Sequence, residues 1–314
     1  MIFVSIFEKI APILFFLFLG VFFRSRSFFS ESTVEEIKLF LVRITLPALL
    51  FLTFLDLDFQ REFLIIIVLM FAVNFVMLAA GKAAGRIISP ENRYAPLMFT
   101  GFEMGMLGFS LFGISFGAEG LKAIGVLDLG QELYVWFILT TLLMVIRESK
   151  PGLKKIGTNF ITSPVILAII VGMILNALLP KGLLETLPGY TGVHTALSML
   201  SSLTIPLILI IIGYQLRFRI SGFAAPLALL LTRTVLLLGF ALLMQHFVFP
   251  RLTHVPRLFV PALYTMALLP PPFIIPLFMN GASEAEHDFV SATLSLGTVI
   301  TIVLYFVLLL VHGL

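Results

Sequence analysis

The chain has 314 residues, of which 60% are hydrophobic and 12% are charged, whereas an ordinary soluble domain has about 25% charged residues. This composition excludes a soluble globular enzyme, a nucleic-acid-binding protein and a disordered chain, and it indicates a polytopic membrane protein. The absence of Cys excludes disulfide bonds and Cys metal sites.

Apolar runs separated by Gly, Pro and charged clusters predict ten membrane-spanning helices. In chain order they cover residues 5–23, 34–55, 62–80, 94–116, 122–146, 161–179, 193–216, 225–249, 258–279 and 289–312. Most of these runs are close to the roughly 20 residues that a helix needs to span a bilayer. We therefore expect an all-α membrane protein with short loops and no water-soluble domain.

The distribution of Lys and Arg predicts the orientation of these helices. The loops that follow odd-numbered helices hold eleven of these residues, and the opposite side holds six. Because cytoplasmic loops carry the excess of basic residues, the odd-numbered loops are expected in the cytoplasm. Both termini then lie on the outer side of a plasma membrane or a bacterial inner membrane.

The two halves of the chain, 1–159 and 160–314, resemble each other. Corresponding pairs are Pro12 and Pro164, Gly20 and Gly172, Thr45 and Thr204, and Arg93 and Arg257, and their offsets rise in order from 152 to 164. Since five helices per half is an odd number, the second half must enter the membrane inverted. Inverted repeats are typical of secondary transporters, although chance similarity in an apolar sequence is the alternative.

The fourth and ninth predicted helices are interrupted at corresponding positions. The fourth contains Thr100-Gly-Phe-Glu-Met-Gly105, and the ninth contains Pro270-Pro-Pro272. Gly weakens a helix and consecutive Pro residues remove N–H donors, so neither helix is expected to be continuous. Matched interruptions in two halves point to a transporter's substrate site. Half-helices beginning near Gly105 and Phe273 would direct positive dipole ends at an anion; kinks used only for packing are the alternative.

These features resemble the auxin efflux carrier family, which includes bacterial organic-acid carriers and plant auxin exporters. The matching pieces are Leu46-Pro-Ala-Leu-Leu-Phe51, Thr100-Gly-Phe-Glu-Met-Gly-Met-Leu-Gly108, Asp128-Leu-Gly-Gln131, Ile212-Gly213 and the proline-interrupted ninth helix, in this order along the whole chain. The chain departs from the family pattern at the first interruption, where an Asn and a Gly-x-Pro are usual. The short predicted loop at 147–160 favours the bacterial branch.

The resemblance implies a fold similar to that of bile-acid sodium symporters. In that fold the first, second, sixth and seventh helices form a scaffold. Helices three to five and eight to ten form the transport part, in which the broken fourth and ninth helices cross. The resemblance also implies elevator-like alternating access and a homodimer, which we expect to form through the scaffold helices.

The interruptions and the resemblance identify candidate site residues. The expected crossover site consists of Thr100, Gly101, Glu103, Gly105, Pro270, Pro271, Pro272 and Asn280. Ion coupling is assigned to Glu103, Asp128 and Gln131, of which the last two share one helix face. Arg233 is a candidate anion contact, because a guanidinium binds a carboxylate bidentately. The structural alternatives are a helix cap for Glu103, a polar network on the fifth helix and internal pairing of Arg233.

We therefore predict a secondary active transporter of small organic anions, such as auxin-like or dicarboxylic acids, that is coupled to protons. The alternatives are a sodium-coupled symporter of the bile-acid type and a non-transporting membrane sensor. An intramembrane enzyme would need a nucleophile–base pair or metal-ligand spacing that the sequence lacks. No metal or cofactor is expected, and the expected partners are the anion, protons and the lipid bilayer, with no nucleic acid.

Overall fold

The computed structural model describes residues 2–57, 60–147, 162–180, 182–215, 223–252, 255–279 and 281–312. Within these ranges the chain forms helices and turns and no strand. The main helices are α1 (Ile2–Ser25), α2 (Glu31–Leu55), α3 (Arg61–Ile88), α4 (Phe109–Tyr134), α5 (Thr140–Arg147), α6 (Pro164–Leu178), α7 (Tyr190–Gln215), α8 (Ala224–Leu243), α9 (Phe259–Leu268) and α10 (Glu284–His312). Wide π turns interrupt α2 at Leu41–Thr45 and join α4 to α5 over Val135–Leu139.

The described helices are suited to a membrane by length and by surface. Six segments are long and apolar enough to cross one, namely Glu31–Leu55, Arg61–Ile88, Leu97–Ile146, Tyr190–Tyr214, Ala224–Arg251 and Glu284–Leu310. Shorter apolar helices are Ala11–Ser25, Pro164–Leu178 and Phe259–Leu268. Large apolar side chains such as Phe18, Val76 and Val235 are exposed. Because soluble proteins avoid large apolar surfaces, the fold is that of a polytopic membrane protein.

The region of the fourth and fifth predicted helices differs most from expectation. Residues 94–99 form turns and a short 3-10 helix over Leu97–Phe99 instead of an α-helix. The chain becomes helical at a π turn over Met104–Gly108 and then continues as α4. Two helices meet within α4 at Gly117, without the expected loop of several residues, and the φ of 60° and ψ of −150° of Gly117 are non-helical and favour glycine.

The ninth predicted helix is interrupted at its prolines, as expected. Its first half, α9, ends at Leu268, and residues 270–272 have no regular structure. The second half is only a 3-10 helix over Ile275–Phe278. Pro276 adds a further residue without an N–H donor, so too few donors remain in this run for an α-helix.

Glycines allow the closest helix crossings in the part of the chain formed by α1, α2, α6 and α7. A Cβ on Gly20 of α1 would lie 2.1 Å from the Ile210 carbonyl oxygen of α7. A Cβ on Gly172 of α6 would lie 2.8 Å from the Phe51 carbonyl oxygen of α2. The helix backbones can approach this closely only because both residues lack a side chain. Helices α3, α4, α8, α9 and α10 pack against one another in a second group.

Candidate functional site

The two interrupted segments contact each other in the interior of the second helix group. We call residues 100–103 the first break and residues 269–273 the second break. Gly101 has a φ of +67°, and a Cβ at this position would lie 2.4 Å from the Cγ atom of Pro272. The first break therefore requires glycine both for its backbone conformation and for its contact with the second break.

The carboxylate of Glu103 caps the backbone of both segments. Its Oε1 atom accepts a hydrogen bond from the Met106 amide at 3.1 Å, and its Oε2 atom accepts one from the Phe273 amide at 2.6 Å. The Glu103 amide itself donates to the Pro270 carbonyl at 3.0 Å. The side chain is buried, and none of the described basic side chains forms a salt bridge with it. The capping alternative is confirmed, while a transport role for Glu103 stays a prediction.

Side chains from α3 and α4 accept hydrogen bonds from two further backbone N–H groups of the first break. The Gly101 amide donates to Oδ1 of Asn74 at 2.7 Å, and the Phe102 amide donates to Oε1 of Gln131 at 3.1 Å. Both acceptors are buried. Since a break deprives backbone amides of their helical partners, these side chains supply the hydrogen bonds that make it stable inside the protein.

Gln131 also connects the first break to two carboxyl groups on α4. Its Nε2 group donates to Oδ1 of Asp128 at 2.8 Å and to Oε1 of Glu132 at 3.3 Å. The indole of Trp136 donates to the other oxygen of Glu132 at 2.6 Å. The expected pair of Asp128 and Gln131 is thus in contact, and Glu132 extends it into a network that ends at the Phe102 amide.

Arg233 of α8 donates to the carbonyl groups of both breaks. Its Nη1 atom lies 2.6 Å from the Leu269 carbonyl oxygen, and its Nη2 atom lies 2.6 Å from the Gly101 carbonyl oxygen. The side chain is fully buried, and its guanidinium carbon lies 5.1 Å from the centroid of the Phe102 ring. Both terminal nitrogens therefore have protein partners, and the anion contact expected of Arg233 stays a prediction.

The end of α9 at the second break is completed by α10. The Thr301 hydroxyl donates to the Leu268 carbonyl at 2.5 Å. A Cβ on Gly297 of α10 would lie 2.8 Å from the Cβ of Pro270. All three prolines of the break are buried. The carbonyl groups of Leu268 and Leu269, at and just after the end of α9, thus receive hydrogen bonds from side chains of α10 and α8, in place of the amides that a continuous helix would supply.

Interrupted membrane helices that meet through backbone and buried charged groups are the structural signature of secondary transporters. Residues 5–159 of the chain match a family model described as membrane transport protein, the auxin efflux carrier type. The chain belongs to this family. The matched half contains the first break together with α3 and α4. No curated protein matches the chain. The family and the apolar helices together identify an integral membrane transporter.

The other expected site residues of this family member have simpler surroundings. Thr100 is buried, and its hydroxyl donates within its own turn. Gly105 lies beside the cap, since a Cβ there would be 3.9 Å from both Oε1 of Glu103 and Cδ2 of Leu46. A single methyl group at position 105 would thus fit between the carboxylate and Leu46 of α2 in ordinary van der Waals contact. Asn280 lies outside the described residues.

Two residues that hold the breaks were not among the expected site residues, although an interhelical hydrogen bond was expected of Asn74. Asn74 and Thr301 hold the first and second break, respectively. Asn74 carried a usable signal, because it precedes Arg233 by 159 residues, the offset that also relates Thr45 to Thr204. Thr301 carried none, since it is one of several Thr residues in a long apolar helix.

An ion pair joins the chain before the first break to the start of α10. Arg93 donates from Nε to Oε1 of Glu286 at 2.9 Å and from Nη2 to Oε2 at 3.0 Å. These hydrogen bonds and the adjacent negative charge raise the pKa of the Arg93 guanidinium above its usual value. The contact requires the loop before the first break and the loop after the second to lie on the same side of the protein, as their expected cytoplasmic location demands.

Proposed function

We propose that this transporter is a secondary carrier of small organic anions, coupled to protons, that works by elevator-like alternating access. The observation that carries the proposal is the position of the Glu103 carboxylate, which accepts hydrogen bonds from backbone amides of both segments. Backbone amides at the start of helical segments are ready-made binding sites for anions. Glu103 therefore stands where the carboxylate of a substrate would bind.

The same geometry supports the coupling to protons. A substrate carboxylate can reach the Met106 and Phe273 amides only after the side chain of Glu103 has left them. Protonation removes the negative charge of Glu103 and weakens its hydrogen bonds, because charge-assisted hydrogen bonds are about twice as strong as neutral ones. Substrate binding is then linked to protonation of Glu103.

The network on α4 offers a second connection between protons and the site. Asp128 and Glu132 both accept hydrogen bonds from the side-chain Nε2 group of Gln131. The side-chain oxygen of Gln131 accepts a hydrogen bond from the Phe102 amide. A change of charge at either carboxyl group alters the hydrogen bonds that hold Gln131. A proton gained or lost at Asp128 or Glu132 would therefore change the hydrogen bond that holds the Phe102 amide of the first break.

We also propose the architecture of two inverted five-helix repeats, 1–159 and 160–314, with α1, α2, α6 and α7 as the scaffold. Two observations support it. The crossing of α1 on α7 at Gly20 and the crossing of α6 on α2 at Gly172 are equivalent under such a repeat. Asn74 and Arg233 are also equivalent, and both bind the backbone of Gly101. The scaffold homodimer and the outward-facing termini stay predictions.

The proposal is tested by flux into proteoliposomes with a panel of monocarboxylates, dicarboxylates and indole acids, at two pH values, with and without sodium. We expect a saturable, pH-dependent flux that needs no sodium. Dependence on sodium instead of pH would favour the bile-acid type of symporter, and ligand binding without flux would favour a sensor.

The Glu103→Gln variant tests the role of the carboxylate in this flux. We expect it to lower the flux and to remove its pH dependence, because glutamine cannot gain or lose the proton. The matched control is Glu119→Gln, since Glu119 is an exposed residue paired with Lys122, and it should leave flux and pH dependence unchanged. Wild-type flux with unchanged pH dependence in Glu103→Gln would refute the role.

A further inference from the structure

The carbonyl oxygens of the two breaks converge on one point. Those of Gly101 and Leu269 each lie 2.6 Å from a nitrogen of the Arg233 guanidinium. Leu269 directly follows the C-terminal end of α9, where the helix dipole is negative. In transporters with interrupted helices, unwound carbonyls and C-terminal helix ends are the groups that bind a coupling cation. In this chain the cation that they bind is a side chain.

The surroundings of Arg233 compensate its charge without a carboxylate. None of the described Asp and Glu residues forms a salt bridge with it, although the side chain is fully buried. Its Nε atom has no partner among the described residues. Its charge faces two carbonyl oxygens and the ring of Phe102. Carbonyl dipoles and an aromatic face are the groups with which proteins bind cations.

We propose that Arg233 is a resident cation of this site. Its guanidinium fills the position between the two breaks that an alkali-metal ion would otherwise occupy, so the protein needs no sodium. Arg233 is thereby a positioning residue, which holds the carbonyl groups of Gly101 and Leu269 together. The expected effect of Arg233 on flux rests on the proposed transport function. Its expected effect on stability does not, since stability can be measured without a substrate.

The first test measures whether wild-type protein responds to alkali-metal ions. Thermal unfolding in detergent and flux in proteoliposomes are compared in the chloride salts of sodium, potassium and N-methylglucamine at equal ionic strength. The inference predicts the same unfolding temperature and the same flux in all three salts. A higher unfolding temperature in sodium, or a flux that needs sodium, would overturn it.

The second test replaces the side chain by a free ion. In Arg233→Ala we expect a lower unfolding temperature and a flux reduced about tenfold or more, since two buried charged hydrogen bonds are lost. Guanidinium chloride at millimolar concentration should restore both in part, whereas urea at the same concentration should restore neither. Urea has a similar planar shape and N–H donors but no charge, so this pair of additives isolates the charge.

Control variants separate this effect from loss of folding. Arg43→Ala removes an exposed Arg from α2 and should not respond to guanidinium. Arg233→Lys keeps a positive charge and should retain more stability than Arg233→Gln. This comparison tests the role of the charge even if Arg233→Ala does not fold. Rescue of Arg233→Ala by urea as well as by guanidinium, or equal stability of the Lys and Gln variants, would contradict a resident cation. If no flux is found for any protein, the unfolding temperatures still test the inference.

Discussion

The two breaks interrupt their helices by opposite chemistry, and their surroundings differ accordingly. The first break uses glycine, which keeps its backbone N–H donors, and it is surrounded by the acceptors Asn74 and Gln131. The second break uses proline, which removes N–H donors and leaves carbonyl groups unpaired. It is surrounded by the donors Arg233 and Thr301. Each break thus receives hydrogen-bond partners that its own backbone lacks, while Glu103 and Arg233 bind both breaks.

Glu103 is the residue that belongs to both breaks. Its backbone amide donates a hydrogen bond to a carbonyl of the second break. Its carboxylate accepts one hydrogen bond from a backbone amide of each interrupted segment. Arg233 complements it, since its guanidinium binds a carbonyl group from each break. The site thus carries one internal anion on the amide side and one internal cation on the carbonyl side. In the proposed function Glu103 exchanges with the substrate carboxylate, whereas Arg233 stays bound to the carbonyl groups.

The largest effect is expected at the contact between the breaks. Gly101→Ala would place a Cβ 2.4 Å from Cγ of Pro272, at a φ of +67° that alanine rarely adopts. Overpacking and backbone strain together should cost about 2–5 kcal/mol of unfolding free energy. The measurement is the shift of the unfolding transition in detergent.

The matched control for this variant is Gly239→Ala on α8. A Cβ there meets nothing within 4 Å, so the substitution should be neutral or should add up to about 1 kcal/mol through helix propensity. Equal losses in the two variants would mean that the close approach of the breaks is not what requires glycine at position 101.

An intermediate effect is expected when the first break loses an acceptor. Asn74→Leu fills a similar volume but leaves the Gly101 amide buried without a partner, which should cost about 1–3 kcal/mol. The unfolding transition measures the loss, and hydrogen exchange at Gly101 locates it. Unchanged protection of that amide would contradict the role given to Asn74.

The smallest effect is expected when the end of α9, next to the second break, loses its side-chain donor from α10. Thr301→Val removes the hydroxyl that bonds the Leu268 carbonyl, and we expect a loss of about 1 kcal/mol. Thr53→Val is the matched control, because the Thr53 hydroxyl bonds a carbonyl within its own helix, that of Leu49. The control should change stability less, since that carbonyl keeps its helical partner. A larger loss in Thr53→Val would argue against the special need of α9 for donors.

Much of this fold could be predicted from the sequence. Long apolar runs bounded by charges predict the helices, because a spanning segment has to be apolar over its whole length. Three consecutive prolines and a Gly-rich stretch predict the breaks, because these residues disfavour an α-helix whatever surrounds them. The junction of two helices at Gly117 was expected as a loop of several residues, since an apolar pattern does not show how closely one helix follows another.

The partners inside the site could not be predicted in the same way. Arg233 and the Gly101 carbonyl are 132 residues apart in sequence, and the Glu103 carboxylate and the Phe273 amide are 170 apart. Such pairs depend on how the helices pack against each other. Neither the composition nor the periodicity of the sequence shows which individual residues that packing brings into contact. For Arg233 the sequence therefore left both an anion contact and internal pairing open, and it did not identify the two backbone carbonyls that the terminal nitrogens bind.

The most direct test of the exchange at Glu103 is the number of protons taken up when a carboxylate binds. Purified protein in weakly buffered detergent is titrated with the carboxylate that gives the largest flux, and the pH change is followed with an indicator. Exchange predicts uptake of about one proton for each anion bound, because the displaced carboxylate has to be neutralised. The Glu103→Gln variant should bind the anion without proton uptake. Binding to the wild-type protein with no proton uptake would contradict the exchange.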